Sequence, residues 1–295
     1  MVRRRIVQAL TALAYNLNLQ GFVQGSIYQG PVKNVCVPGL NCYSCPGALG
    51  SCPLGSLQSA FGAVASKVSL YVVGTLVFFG ALLGRFICGW ACPFGFIQEL
   101  LHKIPSRKLR HKKAFGVLKY GKYVMLGLFV LLLPIVYAVQ TGLATPAFCK
   151  YVCPAGTLEA GVPLVAANPA LQSSVGWLFS WKMLILIGVI TASVFIWRPF
   201  CRFLCPLGAI YGFFNRISVF GMRFEPSACT QCKACARKCR ADIDPSCTPN
   251  SAECVRCGDC VKACPSGALK FGATQKEKPG RQGKASPGCT ALRRP

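Results

Sequence analysis

RFICGWACPFGFIQEL (85–100) and RPFCRFLCPLGAIYGFF (198–214) repeat one pattern, a Cys-x-x-x-Cys-Pro step that opens into an apolar run. In each the proline stops the chain from continuing as helix, the glycine two residues later permits close backbone approach, and a new helix can start behind it. A second echo lies upstream of each copy: SCPLGSLQS (51–59) matches VCPAGTLEA (152–160). Between the members of each pair lies a stretch long and apolar enough to cross a bilayer. The order Cys-Pro unit, span, CxxxCP therefore occurs twice, and the first 220 residues read as an internally duplicated, all-α integral membrane domain.

A bilayer core of about 30 Å needs roughly 20 helical residues, and four stretches supply them. The first runs from Ile6 to Tyr28 and carries Gln8, Asn16, Gln20 and Gln24, which share one helix face and should turn toward protein. A quinone headgroup site is the functional alternative for that polar stripe. The second span, Val68 to Gly84, lies between Lys67 and Arg85, whose stems are expected to snorkel. Tyr123 to Leu143 is the third, with Pro134 expected to kink it, and Trp177 to Trp197 is the fourth, with Lys182 near its start reaching for the interface. Arg3, Arg4 and Arg5 precede the first span, and the loop from His102 to Lys122 holds eight Lys or Arg. By the positive-inside rule both termini are cytoplasmic and the chain is a multi-pass protein of the cytoplasmic (inner) membrane.

Beyond residue 220 the composition changes. Cys229, Cys232, Cys235 and Cys239 form one CxxCxxCxxxC run, and Cys254, Cys257, Cys260 and Cys264 form another, followed by Pro265. This is the bacterial two-cluster ferredoxin spacing, in which three thiolates of a run hold one cubane and the fourth crosses to its neighbour. One 4Fe-4S cluster is thus expected on Cys229, Cys232, Cys235 and Cys264, and a second on Cys254, Cys257, Cys260 and Cys239. Zinc ribbons use pairs of CxxC, which two complete tandem runs do not resemble. Arg240 stands where the first run would usually carry proline. The α+β ferredoxin domain is placed at 221–272 and a basic, disordered tail at 273–295, where Cys289 is a bystander.

The duplicated CxxxCP steps put Cys88, Cys92, Cys201 and Cys205 on the cytoplasmic face, a donor set for a third 4Fe-4S cluster. Six cysteines remain on the opposite face: Cys36, Cys42, Cys45, Cys52, Cys149 and Cys153. The repeat selects Cys45, Cys52, Cys149 and Cys153 as a fourth set, each near a Cys-Pro step; a self-contained group of Cys36, Cys42, Cys45 and Cys52 is the alternative. Redox centres near both faces would divide a crossing too long for one fast electron hop. Glu99 and Glu159 follow Cys92 and Cys153 into the ensuing helices, where acidic residues favour an N-terminus; coupled proton movement is the second reading.

The formal net charge of +25 would suggest nucleic acid or anionic lipid. Six of the eight acidic residues lie beyond Gly221, the basic residues gather where a membrane protein faces the cytoplasm, and cluster thiolates lower the true charge. With no RNA-binding aromatic motif, membrane lipid rather than nucleic acid is the expected partner. His102 and His111 are the only histidines and both sit in the basic loop, so no haem can be ligated within the membrane. Nucleotide binding has no motif to support it. Disulfide frameworks belong to small secreted domains, and the MVRRR start lacks a cleavage site, so it is read as an uncleaved anchor.

CGWACPFG, CRFLCPLGAIYG and the double ferredoxin run together resemble the membrane ferredoxin family associated with periplasmic nitrate reductase, the NapH type, with relatives among nitrous-oxide-reductase regulators and polyferredoxins. The resemblance covers roughly Val68 to Phe271. It implies four spans, cytoplasmic 4Fe-4S centres, and electron relay between the cytoplasm or quinone pool and a periplasmic or membrane redox partner. The chain would then be an electron-transfer subunit rather than a stand-alone enzyme. NCYSCPGALGSCPLG and CKYVCPAG depart from the nitrate-reductase member. They leave open a metal-ion (copper) reductase or cofactor-maturation protein of the cytochrome-oxidase assembly type. A thiol-disulfide exchanger would rest on Cys42 and Cys45 alone, the one CxxC spacing outside the ferredoxin runs.

Overall fold

In the computed structural model, residues 2–61, 67–109, 114–142, 144–173 and 175–273 are described; His111, Leu143 and the tail from 274 with Cys289 lie outside them. Each of the four Cys-Pro-x-Gly units starts a helix with proline at its first position. These are Pro53–Ala60, Pro93–Leu101, a continuous run over 154–167, and Pro206–Phe214. Proline fits there because the first helical N–H has no partner within the helix. The residue before it, Cys52, Cys92, Cys153 or Cys205, is extended, so four thiols stand at four helix N-termini.

Two helices are long and apolar enough to cross a membrane, Phe115–Thr141 and Trp177–Phe195, and a shorter apolar helix covers Leu70–Leu83. Their side chains turn outward: Val139 is 81% exposed, Trp177 83% and Leu184 62%. The helix ahead of Pro134 widens into a π segment over Met125–Leu132, which accommodates the missing proline donor. The expected first span is broken. Helix Val2–Tyr15 stops short, and Gln20–Gln24 begins after a turn in which Asn18 binds Pro46 O. The break divides the polar stripe. Gln8 is fully buried and donates to Gly89 O at 2.9 Å, whereas Gln20 and Gln24 are exposed.

The two expected snorkelling residues with described side chains do not snorkel. Arg85 is fully buried and donates to Cys201 O and Ala252 O. Lys182 donates to Cys149 O at 3.2 Å, at the end of helix Ala147–Tyr151. In both cases a backbone carbonyl near a cysteine offers the cation a closer acceptor than the interface would.

The C-terminal domain is built on two antiparallel strands, Phe220–Phe224 and Leu269–Ala273, with Met222 opposite Phe271. Its small core joins Met222 and Leu269 to Cys254 and Cys260. Arg256 fastens this domain to the helical one. It is fully buried and donates to Leu83 O, Asn215 O and Ser218 Oγ, while Trp90 Nε1 donates to Arg256 O at 3.0 Å.

Candidate iron-sulfur sites

The two C-terminal cysteine runs share one backbone course. Gln231 and Lys233 in the first, and Arg256 and Gly258 in the second, have positive φ at the same offsets from the leading cysteine. Left-handed residues at these points curl each loop so that successive thiols and amides face inward. Cys239, Cys254, Cys257 and Cys260 are electrostatic neighbours, so the last cysteine of the first run lies beside the second run. Cys229, Cys232, Cys235 and Cys264 line one cavity together. Arg240, in the place of the usual proline, pairs with Asp259 at 3.4 Å.

In the helical domain Cys88, Cys92, Cys201 and Cys205 are all buried and mutually close: Cys205 feels Cys201, Cys88 and Cys92, and Cys92 feels Cys201. Burial pushes the Cys92 thiol up to about 12 and raises the other three. Four ionised thiols in such a place need positive charge among them, which a bound metal cluster supplies. Among the described residues no three metal-binding side chains close around a single ion. A cubane spreads its four thiolates more widely than one tetrahedral ion does, so the thiols fit a cluster better than zinc.

Repeated polar residues surround this quartet. Arg85 and Arg198, each three residues before a cysteine, are both fully buried; Arg198 donates to Cys88 O and pairs with Glu99 at 3.0 Å. Glu99 also pairs with Arg4 at 2.9 Å, so this buried carboxylate joins two cations instead of serving a helix terminus. Gln98 reaches from helix Pro93–Leu101 to the other half of the duplication. Its Nε2 donates to Cys201 Sγ at 3.2 Å and its Oε1 accepts from Phe200 N at 3.2 Å. Cys205 Sγ accepts from Gly208 N at 3.4 Å.

The remaining cysteines sort differently from the expectation. Cys42, rather than Cys45, faces Cys153 and Cys52, and Cys149 feels Cys52 and Cys42. Cys45 instead points its thiol to Asn16 Oδ1 at 3.5 Å. The reason is local: the Cys45-Pro46 step binds back to Asn18, whereas Cys42 is drawn inward by its N–H, which donates to Glu159 Oε2 at 2.7 Å. Burial raises the Glu159 carboxyl to about 7. Cys36 lies beside Cys52, its strand bridging to Ser51 and its N–H donating to Tyr71 Oη. Cys52, Cys88, Cys92, Cys153, Cys201 and Cys205 belong to one continuous hydrophobic core.

Two families described as 4Fe-4S binding domains match this chain, one over residues 66–112, 126–162 and 177–225, the other over 248–270. An uncharacterized protein of Methanocaldococcus jannaschii is 32% identical over 224 residues, 75% of this chain and 84% of its own. The putative electron transport protein YccM of Escherichia coli is 26% identical over 229 residues, 75% of this chain and 59% of its own. The ferredoxin-type protein NapH of Escherichia coli is 24% identical over 224 residues, 72% and 71% of the two chains. No solved structure matches.

Proposed function

Because this chain belongs to the NapH-type family of 4Fe-4S ferredoxins, we propose that it is a multi-pass membrane electron carrier in which a two-cluster ferredoxin domain is docked directly onto a third cluster site. The proposed donor sets are Cys229, Cys232, Cys235 and Cys264; Cys239, Cys254, Cys257 and Cys260; and Cys88, Cys92, Cys201 and Cys205. When bound, each cluster accepts and returns one electron.

The observation that carries this reading is the contact between the second and third sets. A Cβ on Gly89, between Cys88 and Cys92, would lie 2.2 Å from Val255 O, so the two ligand loops touch backbone to backbone. Arg256 and Trp90 hold them in that register. No water-filled gap is needed between the ferredoxin loops and the helical domain, and the chain itself covers the short path. Arg85 and Arg198 place two cations against the third set and would favour its reduced, more negative form.

Outward-facing apolar helices support the membrane assignment, because exposing Leu70, Val139 and Leu184 to water would be unfavourable while lipid accepts them. The basic residues between 102 and 122 support a cytoplasmic place for the loop that carries them. Other subunits of an electron-transfer complex and a quinone are the partners this reading invites. The test is iron and acid-labile sulfide quantification with EPR of the dithionite-reduced protein in detergent. About 12 irons or more per chain support three cubanes, whereas about 8 would confine the clusters to the ferredoxin domain.

A further inference from the structure

We propose that Cys42, Cys52, Cys149 and Cys153 hold a fourth 4Fe-4S cluster, separated from the Cys88, Cys92, Cys201 and Cys205 site by a single stretch of chain, Pro38–Cys42. This rests on the preceding reading, that the first helical-domain quartet carries a cluster.

The duplication supplies the first support. Cys52 and Cys92 each open a helix at proline, and so do Cys153 and Cys205; Cys149 and Cys201 each lie four residues before such a step. Three of the four positions are therefore repeats of the first quartet. Around them the same polar contacts recur. Gln58, six residues after Cys52, donates to Cys149 Sγ at 3.6 Å and accepts from Phe148 N at 2.9 Å. That is the clamp Gln98 makes, six residues after Cys92, on Cys201 and Phe200. Cys153 Sγ accepts from Gly156 N at 3.4 Å, as Cys205 Sγ does from Gly208 N.

The fourth position is where the repeat lapses, since residue 48, which would correspond to Cys88, is alanine. Cys42 fills it from a different direction. A Cβ on Gly156 would lie 3.6 Å from Cys42 Sγ and 3.9 Å from Cys153 Sγ, and one on Gly55 would lie 3.8 Å from Cys149 Sγ. Two glycines thus leave hydrogen where any other residue would put carbon against the thiols.

Pro38–Cys42 runs between the quartets and touches both. A Cβ on Gly39 would lie 3.0 Å from Ala91 O and 3.5 Å from Cys92 Cα, so this stretch packs on the loop of the first quartet before it reaches Cys42 of the second. Tyr211, fully buried and donating to Pro38 O at 3.0 Å, closes the same gap.

The experiment compares the intact protein, reconstituted with iron and sulfide in detergent, with Cys42→Ala and Cys45→Ala. The wild type should hold about 16 irons, with EPR signals broadened by coupling between the two helical-domain clusters. Cys42→Ala should drop to about 12 irons, lose the coupling and keep both ferredoxin signals; Cys45→Ala should match the wild type. A Cys42→Ala protein with unchanged iron and coupling, or a loss of four irons in Cys45→Ala alone, overturns the assignment. About 8 irons in the wild type would sink the reading of the first quartet as well, whereas about 12, unchanged by Cys42→Ala, would sink only this one. If Cys42→Ala does not fold, Gln58→Leu serves: it should keep all the iron yet move the midpoint of one helical-domain signal, and an unmoved spectrum counts against the site.

Discussion

Gln98→Leu separates a structural glutamine from one that tunes an electron site. Gln98 is 1% exposed, so its hydrogen bonds to Cys201 Sγ and from Phe200 N have no water to replace them. Leucine fills similar space and removes both. The orphaned Phe200 N–H should cost about 1–3 kcal/mol of stability. The lost N–H···S bond acts differently, because a hydrogen bond to an ionised group is worth about 1.5–3 kcal/mol and strengthens as the cluster gains an electron. If about 1 kcal/mol of that depends on redox state, the midpoint falls by about 43 mV, since a tenfold change in a one-electron equilibrium is 59 mV or about 1.4 kcal/mol. The direction follows from the donor: removing it disfavours the more negative, reduced form. EPR-monitored potentiometric titration of the holoprotein measures this, with the two ferredoxin signals as internal references. A lowered unfolding temperature with no change in any midpoint would refute the argument and leave Gln98 as a packing residue.

Glu99→Gln leaves Arg4 and Arg198 buried without their shared carboxylate; the expected loss is about 3–5 kcal/mol, read as a lower thermal midpoint in detergent, and an unchanged midpoint would show that the pairing contributes nothing. Gly89→Ala drives a Cβ into Val255 O, so the ferredoxin domain should loosen from the helical one. Faster hydrogen exchange across 254–260 checks this, and wild-type protection there would count against the docked arrangement.

The cysteine spacings alone mark most of the thiols that the fold gathers into groups. Metal-binding loops need their donors at fixed intervals along the chain, so local sequence carries the ferredoxin sets and the pairs Cys88/Cys92 and Cys201/Cys205. What escaped was whatever depends on the far half of the fold. Gln58, Gln98, Glu159 and Tyr211 all stand six residues after a Cys-Pro cysteine, and each reaches across to another segment: Phe148, Phe200, Cys42 and Pro38 respectively. The period was visible in the repeats, but four different contacts on four helices do not announce a common role. Arg85 and Arg198 carry the same kind of signal, each three residues before a CxxxCP cysteine, and at Arg85 the place beside a span end also fits snorkelling. The break at residues 16–19 was hidden because hydropathy continues through it; only the binding of Asn18 to Pro46 reveals it.

Charge around the two helical-domain quartets bears on where an electron rests. Arg85 and Arg198 are fully buried beside Cys88, Cys92, Cys201 and Cys205, and both act on several of those sulfurs at once. Glu159 bears on Cys42, Cys52 and Cys153 and adds no positive charge in either protonation state, while the buried Lys33 bears on Cys42 alone among the four. Lys182 bears on Cys149 alone among these four, through the carbonyl it caps. With similar hydrogen bonds from Gln58 and Gln98 to the two sets, the guanidinium pair is the main asymmetry, and positive charge stabilises the reduced form. The site beside the ferredoxin domain should therefore titrate at the higher potential, and electrons entering at Cys42, Cys52, Cys149 and Cys153 should run downhill toward it. Arg198→Gln should narrow the gap between the two midpoints; a gap of the opposite sign in the wild type would mean that backbone dipoles, with four helix N-termini aimed at these sulfurs, outweigh the arginines.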